Sequence, residues 1–186
     1  RLLLTSAVAN LSGADLTAIT DRTGVPIAPA VFVDDESVPA ELDEIEIAYA
    51  SPDLFTELDA PWRFFDLLDA LPNLGWAHVG FAGIDHPRFG AMLDRGVRLS
   101  NSPGAAAEPI AHTAMAGLLS LARRLPFYAQ RQHEHVWQRL PTEAIAPDLS
   151  RQTLVIYGLG TIGSELARLA RAFGLHVIGV RRGPPR

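Results

Sequence analysis

The stretch that decides the fold is Thr153–Val180, TLVIYGLGTIGSELARLARAFGLHVIGV. Leu154-Val155-Ile156-Tyr157 are strand-type residues, and Gly158-Leu159-Gly160-Thr161-Ile162-Gly163 turns the chain. A helix should follow, because Ile162, Leu166, Leu169, Ala170 and Phe173 recur at the spacing of one helical face. Gly174 stands where a helix-ending glycine belongs. The run His176–Val180 then reads as a second strand, which completes a strand–helix–strand unit.

Each glycine of the turn answers a separate physical demand. Gly158 permits the tight turn off the strand, and Gly160 lets a pyrophosphate approach the backbone without meeting a side chain. Gly163 lets the helix pack closely on the strand. The helix start adds N–H groups and the positive end of the macrodipole, both suited to phosphate. Three spaced glycines alone say little. Strand, turn, helix and strand in this order make the stretch a dinucleotide site.

Composition narrows the rest. The 186 residues are 48% hydrophobic and 20% charged, enough for a packed core in one or two domains. Net charge is −5 with no basic stripe, which argues against nucleic acid as a partner. There is no cysteine, so disulfides and thiolate metal sites are excluded. All 16 cationic residues are Arg, so lysine chemistry is excluded too. No run is long and apolar enough to suggest a membrane span, and no secretory signal pattern opens the chain. A cytoplasmic protein is the expectation. Both ends are expected to be cut, since a full doubly wound domain has about six strands and only two lie after residue 150. On the order of 100 residues of that domain are then expected beyond Arg186.

Ahead of the dinucleotide unit the chain alternates strands and helices, the pattern of a parallel α/β sheet. Strands are expected at 2–5, 26–32, 45–49, 76–80 and 97–100. Helices are expected from Ala14, with Ser12 or Asp15 near the N-cap and Gly24 as stop, and at 64–71 and 87–95. Two loops follow strands at their carboxyl ends, where such sheets bind ligands. They are Phe81-Ala82-Gly83-Ile84-Asp85 and Asn101-Ser102-Pro103-Gly104. The small residues Ala82 and Gly83 leave their N–H groups open to an anion, or else make an ordinary turn.

Gly104–Arg124 is the longest helical stretch, apolar nearly all round and expected to be buried on several sides. A more polar arm, Leu125–Leu140, carries His133, His135 and Trp137, and Pro141–Ser150 reads as a linker. His112 lies one turn after Glu108 and is expected to pair with it. His133 and His135 point to different faces, and no metal site is expected.

Three segments together resemble the D-isomer-specific 2-hydroxyacid dehydrogenases: VGFAGIDH at 79–86, GVRLSNSPGAAAEPIAHTAMAGLLSLARR at 96–124 and LVIYGLGTIGSELARLARAFGLHVIGV at 154–180. The resemblance implies a partial chain with a flavodoxin-like parallel-sheet substrate domain over 1–100. The first part of a Rossmann dinucleotide-binding domain follows over 101–186, including the long helix 104–124, which in the family helps build a homodimer. It also implies that the N–H groups of Ala82 and Gly83 receive the substrate carboxylate. Gly158, Gly160, Thr161, Ile162 and Gly163 would form the cofactor turn, with Thr161 and Ile162 on the pyrophosphate.

Two positions depart from the family. His112 stands where a Glu is usual, and Arg181, followed by Arg182, stands where NAD-preferring members carry an acidic residue. Those arginines suit the 2′-phosphate of NADP, with NAD as the alternative cofactor, or else are solvated charges at a strand end. The family's catalytic Arg, Glu and His are implied to lie beyond Arg186, so no catalytic residue falls in this chain. The 186 residues alone are therefore expected to be inactive. The implied reaction is hydride transfer with a small 2-oxo or 2-hydroxy acid of the glyoxylate or hydroxypyruvate class. A dinucleotide-sensing corepressor on the same scaffold, or a formate or phosphite dehydrogenase, remains open.

Overall fold

A computed structural model describes residues 1–11, 13–33, 42–55 and 61–183. The chain divides into two compact units, Arg1–Pro103 and Gly104–Arg186.

The first unit contains β1 (Leu2–Thr5), α1 (Ser6–Leu11), α2 (Gly13–Thr23), β2 (Pro29–Phe32) and β3 (Ile47–Ala50). It continues with α3 (Pro61–Ala70), β4 (Trp76–Val79), α4 (Pro87–Asp94) and β5 (Arg98–Asn101). Its five strands are all parallel, in the order β2-β1-β3-β4-β5. That is the order of flavodoxin-like doubly wound sheets, whose ligand-binding switch point lies where the winding reverses. Here the reversal falls between β1 and β3. At their carboxyl ends the buried hydroxyls of Thr5 and Ser51 lie 3.0 Å apart, so both polar groups are satisfied.

Leu3, Ala48, Ala77 and Val79 on the strands are buried against Phe64, Leu68 and Leu71 of the α3 segment and Met92 of α4. The Phe32 and Phe64 rings meet edge to face at 5.2 Å, a favoured aromatic geometry. His86 caps α4, its Nδ1 accepting from the Arg88 N–H at 3.3 Å, with Pro87 at the first helical position. Arg95 closes the end of α3 by donating to the carbonyls of Asp69 and Leu71 at 2.9 and 2.7 Å.

The first unit differs from expectation in detail. α1 was not foreseen; Thr5 caps it, its Oγ1 accepting from Val8 N at 3.5 Å. Six residues are too few to show a period. α2 already begins at Gly13, so Asp15 lies in its first turn, and Ser12 falls outside the described residues. β2 starts only at Pro29, after the turn that Gly24 opens at φ 69°.

The second unit holds α5 (Ala107–Ala122), α6 (Leu125–His133), β6 (Thr153–Tyr157), α7 (Thr161–Ala172) and β7 (His176–Val180). β6 and β7 pair in parallel, with Thr153 opposite His176 and Tyr157 opposite Val180. The long helix is shorter than the 104–124 read from the sequence. A turn closed by Ala107 N on the Gly104 carbonyl, 3.0 Å, precedes it, and Arg124 in a left-handed conformation follows it. Pro109 falls in its first turn, where a missing N–H costs nothing.

That helix is not covered on several sides here. Ala111 and Met115 are buried and Leu118 and Leu119 half-buried, whereas Ile110, Ala114 and Leu121 are exposed. The arm after it is helical over α6, which ends in a left-handed His135; the Val136 N–H then reaches back to the Arg131 carbonyl at 2.9 Å. The expected linker contains two single 3₁₀ turns, Thr142–Ala144 and Leu149–Arg151.

The buried face of α7 shares only Ala170 with the stripe that periodicity picked out. It is Gly163, Ala167 and Ala170, while Ile162 and Phe173 are 39% and 47% exposed. At Gly163 the Gly158 carbonyl oxygen, 2.0 Å from where a Cβ would stand, admits no side chain. Leu166 stays half-buried and joins Met115, Leu154, Leu175 and Val177 in this unit's core.

Candidate functional site

The glycine-rich turn takes its shape from three contacts. Gly158 leaves β6 at φ 106°, which L side chains rarely adopt, and donates its N–H to the Val180 carbonyl at 2.8 Å. A Cβ on Gly163 would stand 2.0 Å from the Gly158 carbonyl oxygen, so this helix–turn approach needs a hydrogen there. A Cβ on Gly160 would meet no atom within 4 Å. That position opens onto free space, which is what a group lying against the backbone requires.

The hydrogen-bond ladder of α7 opens with Ser164 N donating to the Gly160 carbonyl at 2.9 Å. Helix geometry leaves the N–H groups of residues 161–163 ahead of that ladder, in the half-turn that binds anions. Gly160, at the N-cap, offers no side chain to compete for them.

Charge near this turn is balanced. Arg168 Nη2 lies 2.5 Å from Glu165 Oε1 and its Nε donates to both carboxylate oxygens at 3.0–3.1 Å. These bonds hold the Glu165 carboxyl below the usual carboxylate range and raise Arg168 further. His112 Nε2 stands 3.7 Å from Glu108 Oε1, the one-turn pair expected from spacing. Arg181 and Arg182 follow β7 directly and are exposed.

In the first unit, the loop after β4 presents Ala82 and Gly83, both exposed. A Cβ on Gly83 would find nothing within 4 Å. Asn101 Nδ2 donates to the Ala82 carbonyl at 2.8 Å, and Ser102 N to that of Phe81 at 3.3 Å. The segment after β5 therefore supports the loop after β4. Sequence reading placed both loops at strand ends without seeing this tie. The His78 imidazole joins it, with Nδ1 2.8 Å from Ser100 Oγ and Nε2 3.0 Å from Ser102 Oγ.

Gly83 also lines a cavity of about 260 Å³ with Phe55, Trp62, Phe65, Phe81, Asp85, His86, Arg88 and Phe89. Arg88 stacks 5.9 Å from the Trp62 ring centre and pairs with Asp66, whose hydrogen bond raises its pKa. Among the described residues no three His, Asp or Glu side chains are grouped to hold a metal ion. Nor is any described helix long and apolar enough to cross a membrane.

Comparison with known proteins finds similarity to one family. Residues 115–186 match the model of the D-isomer specific 2-hydroxyacid dehydrogenase NAD binding domain. Glyoxylate/hydroxypyruvate reductase B of Yersinia pestis (strain Pestoides F) is 34% identical over 121 residues, 64% of this chain and 37% of the relative. The chain thus spans little more than a third of that relative's length. Among solved structures, D-lactate dehydrogenase from Aquifex aeolicus, complexed with NAD and lactic acid, superposes with a TM-score of 0.68. The match has 26% identity and covers 98% of this chain and 52% of that one. A D-isomer specific 2-hydroxyacid dehydrogenase family protein from Aeromonas salmonicida gives 0.63 at 28% identity, covering 100% of this chain and 54% of its own.

Proposed function

We propose that this chain, a member of the D-isomer-specific 2-hydroxyacid dehydrogenase family, serves hydride transfer between a nicotinamide dinucleotide and a small 2-oxo or 2-hydroxy acid of the glyoxylate or hydroxypyruvate class. The observation that carries the reading is the turn at 158–163. It combines a left-handed Gly158, an open Gly160 and a Gly163 that no side chain can replace without a clash.

The second unit binds the dinucleotide. The N–H groups of Thr161 and Ile162 hold its pyrophosphate, Gly158, Gly160 and Gly163 shape the backbone beneath it, and Arg181 and Arg182 face its adenosine ribose. When bound, the nicotinamide supplies or takes up the hydride at the 2-carbon of the acid. The first unit holds that acid, its carboxylate received by the N–H groups of Ala82 and Gly83. Two aligned amides suit a carboxylate because each gives a charge-assisted bond without needing a counter-ion. Proton delivery is assigned to no residue of this chain.

The roles follow the two compact units, Arg1–Pro103 for the acid and Gly104–Arg186 for the dinucleotide. Two copies pair through the exposed apolar side of α5 and the arm to Trp137. The test of the function is twofold: fluorescence titration of the chain with NADPH and NADH, and oxidation of either by the full-length protein with glyoxylate or hydroxypyruvate. Failure to bind both dinucleotides rejects the reading.

A further inference from the structure

The two N–H groups proposed to receive the substrate carboxylate belong to peptides whose carbonyls are both held from the same side. Asn101 Nδ2 donates to the Ala82 carbonyl at 2.8 Å, and the Ser102 N–H donates to the Phe81 carbonyl at 3.3 Å. In a trans peptide the carbonyl and the following N–H point in opposite directions, and no cis peptide occurs among the described residues. Holding the Phe81 carbonyl therefore aims the Ala82 N–H away from the β5 end. Holding the Ala82 carbonyl does the same for Gly83. A bond accepted at the carbonyl also polarises the amide and makes its N–H a better donor.

The Gly83 peptide needs this hold more than most. Glycine restricts the backbone least, and nothing lies within 4 Å of where a Gly83 Cβ would be. The holding segment is itself anchored. Ser102 Oγ and Ser100 Oγ bond the two ring nitrogens of His78 at 3.0 and 2.8 Å, and the Trp76 indole donates to Ser100 Oγ at 2.8 Å.

Resting on the carboxylate reading of Ala82 and Gly83, we infer that Asn101 is a positioning residue for substrate binding, acting by fixing the direction of the Gly83 N–H. Its amide never touches the acid. It sets the angle at which the neighbouring peptide meets it.

The test compares Asn101→Ala, Asn101→Asp and Gly83→Pro in the full-length protein. Asn101→Ala removes the donor, and Asn101→Asp keeps the size but turns an acceptor toward the Ala82 carbonyl. The KM for the 2-oxo acid should rise about tenfold in the first and further in the second, with dinucleotide KM and thermal midpoint unchanged. A rise below about twofold in both variants overturns the inference. So does a parallel loss of dinucleotide affinity and thermal stability, which marks a merely structural residue. Gly83→Pro deletes the amide hydrogen outright. If it leaves the 2-oxo acid KM unchanged, the carboxylate reading itself fails; if it raises KM while the Asn101 variants do not, only the positioning role falls. The same comparison is made without turnover by following the Ala82 and Gly83 amide resonances during titration with oxamate. Shift changes that persist undiminished in Asn101→Asp overturn the positioning role.

Discussion

Gly158 donates its N–H to the carbonyl of Val180 at 2.8 Å, so the first residue of the glycine turn is bonded to the last residue of β7. Arg181 is the next residue along. One backbone bond thus joins the turn proposed to hold the pyrophosphate to the strand end proposed to read the ribose. Past that bond, the φ of 106° at Gly158 turns the chain out of β6.

Gly163→Ala should damage this unit most. The added Cβ would stand 2.0 Å from the Gly158 oxygen and 3.1 Å from its carbonyl carbon, and backbone cannot rotate aside as a side chain can. Overpacking of this kind costs about 1–3 kcal/mol, and dinucleotide affinity should fall by more than about tenfold because the turn must move. Urea unfolding and NADPH fluorescence titration check both; an unchanged midpoint with unchanged affinity removes the argument.

Gly179→Ala makes a softer clash. Its Cβ would meet Leu159 Cδ1 at 2.2 Å and Cγ at 2.7 Å, atoms of a side chain free to change rotamer. The loss should be smaller than for Gly163→Ala, and Leu159→Ala should recover most of it. A double-mutant cycle measures that coupling directly. Additive single losses mean that Leu159 is not the obstacle.

Glu165 gives a pH prediction whose sign follows from its partner. The hydrogen bonds from Arg168 depress the folded-state pKa of its carboxyl. Whatever stability the pair adds is therefore present above the unfolded-state pKa and lost as pH falls through the folded value. The Arg168 side of the pair is 65% exposed, so solvent screens it and the gain is small. Carboxyl-carbon NMR of Glu165 should show its midpoint rising in Arg168→Ala. If the midpoint stays where it was, the arginine does not control it.

The parts of this molecule legible in the sequence are those set by local sterics. Gly158, Gly160 and Gly163 each answer a demand within their own turn, and the loops at 81–85 and 101–104 follow from strand ends. What distance decides was not legible. The stripe Ile162-Leu166-Leu169-Ala170-Phe173 has the right period, yet of these only Ala170 is fully buried, alongside Gly163 and Ala167, while Ile162 and Phe173 stay exposed. The bond from Asn101 to the Ala82 carbonyl spans 19 residues, and only the pairing of β4 with β5 brings its ends together.

Self-association should run through the apolar side of α5. Leu121 is 70% exposed and Ile110 44%, and Trp137 on the arm is 93% exposed, a concentration of uncovered apolar surface that marks an interaction site. Leu121→Glu should convert a dimer to a monomer by sedimentation velocity at micromolar concentration, with dinucleotide binding retained. A protein already monomeric at that concentration refutes the pairing.

The last prediction concerns which dinucleotide is preferred. An NAD-selective site places a carboxylate about 20 residues past the glycines, where it accepts bonds from the ribose 2′-hydroxyl. Here Arg181 and Arg182 occupy that place, and no Asp or Glu occurs after Glu165. A guanidinium has no acceptor to offer a hydroxyl, but it forms charge-assisted, bidentate bonds to a phosphate. Register supports the placement: Tyr157 lies opposite Val180 at the end of the pair, so Arg181 emerges beside the turn. The full-length protein should therefore prefer NADPH to NADH. Replacing Arg181 by Asp should reduce that preference about tenfold or more, since losing one charged hydrogen bond costs roughly 1.5–3 kcal/mol. The measurement is kcat/KM for both cofactors in both forms. An unmutated protein that prefers NADH leaves Arg181 as a solvated charge at the end of a strand.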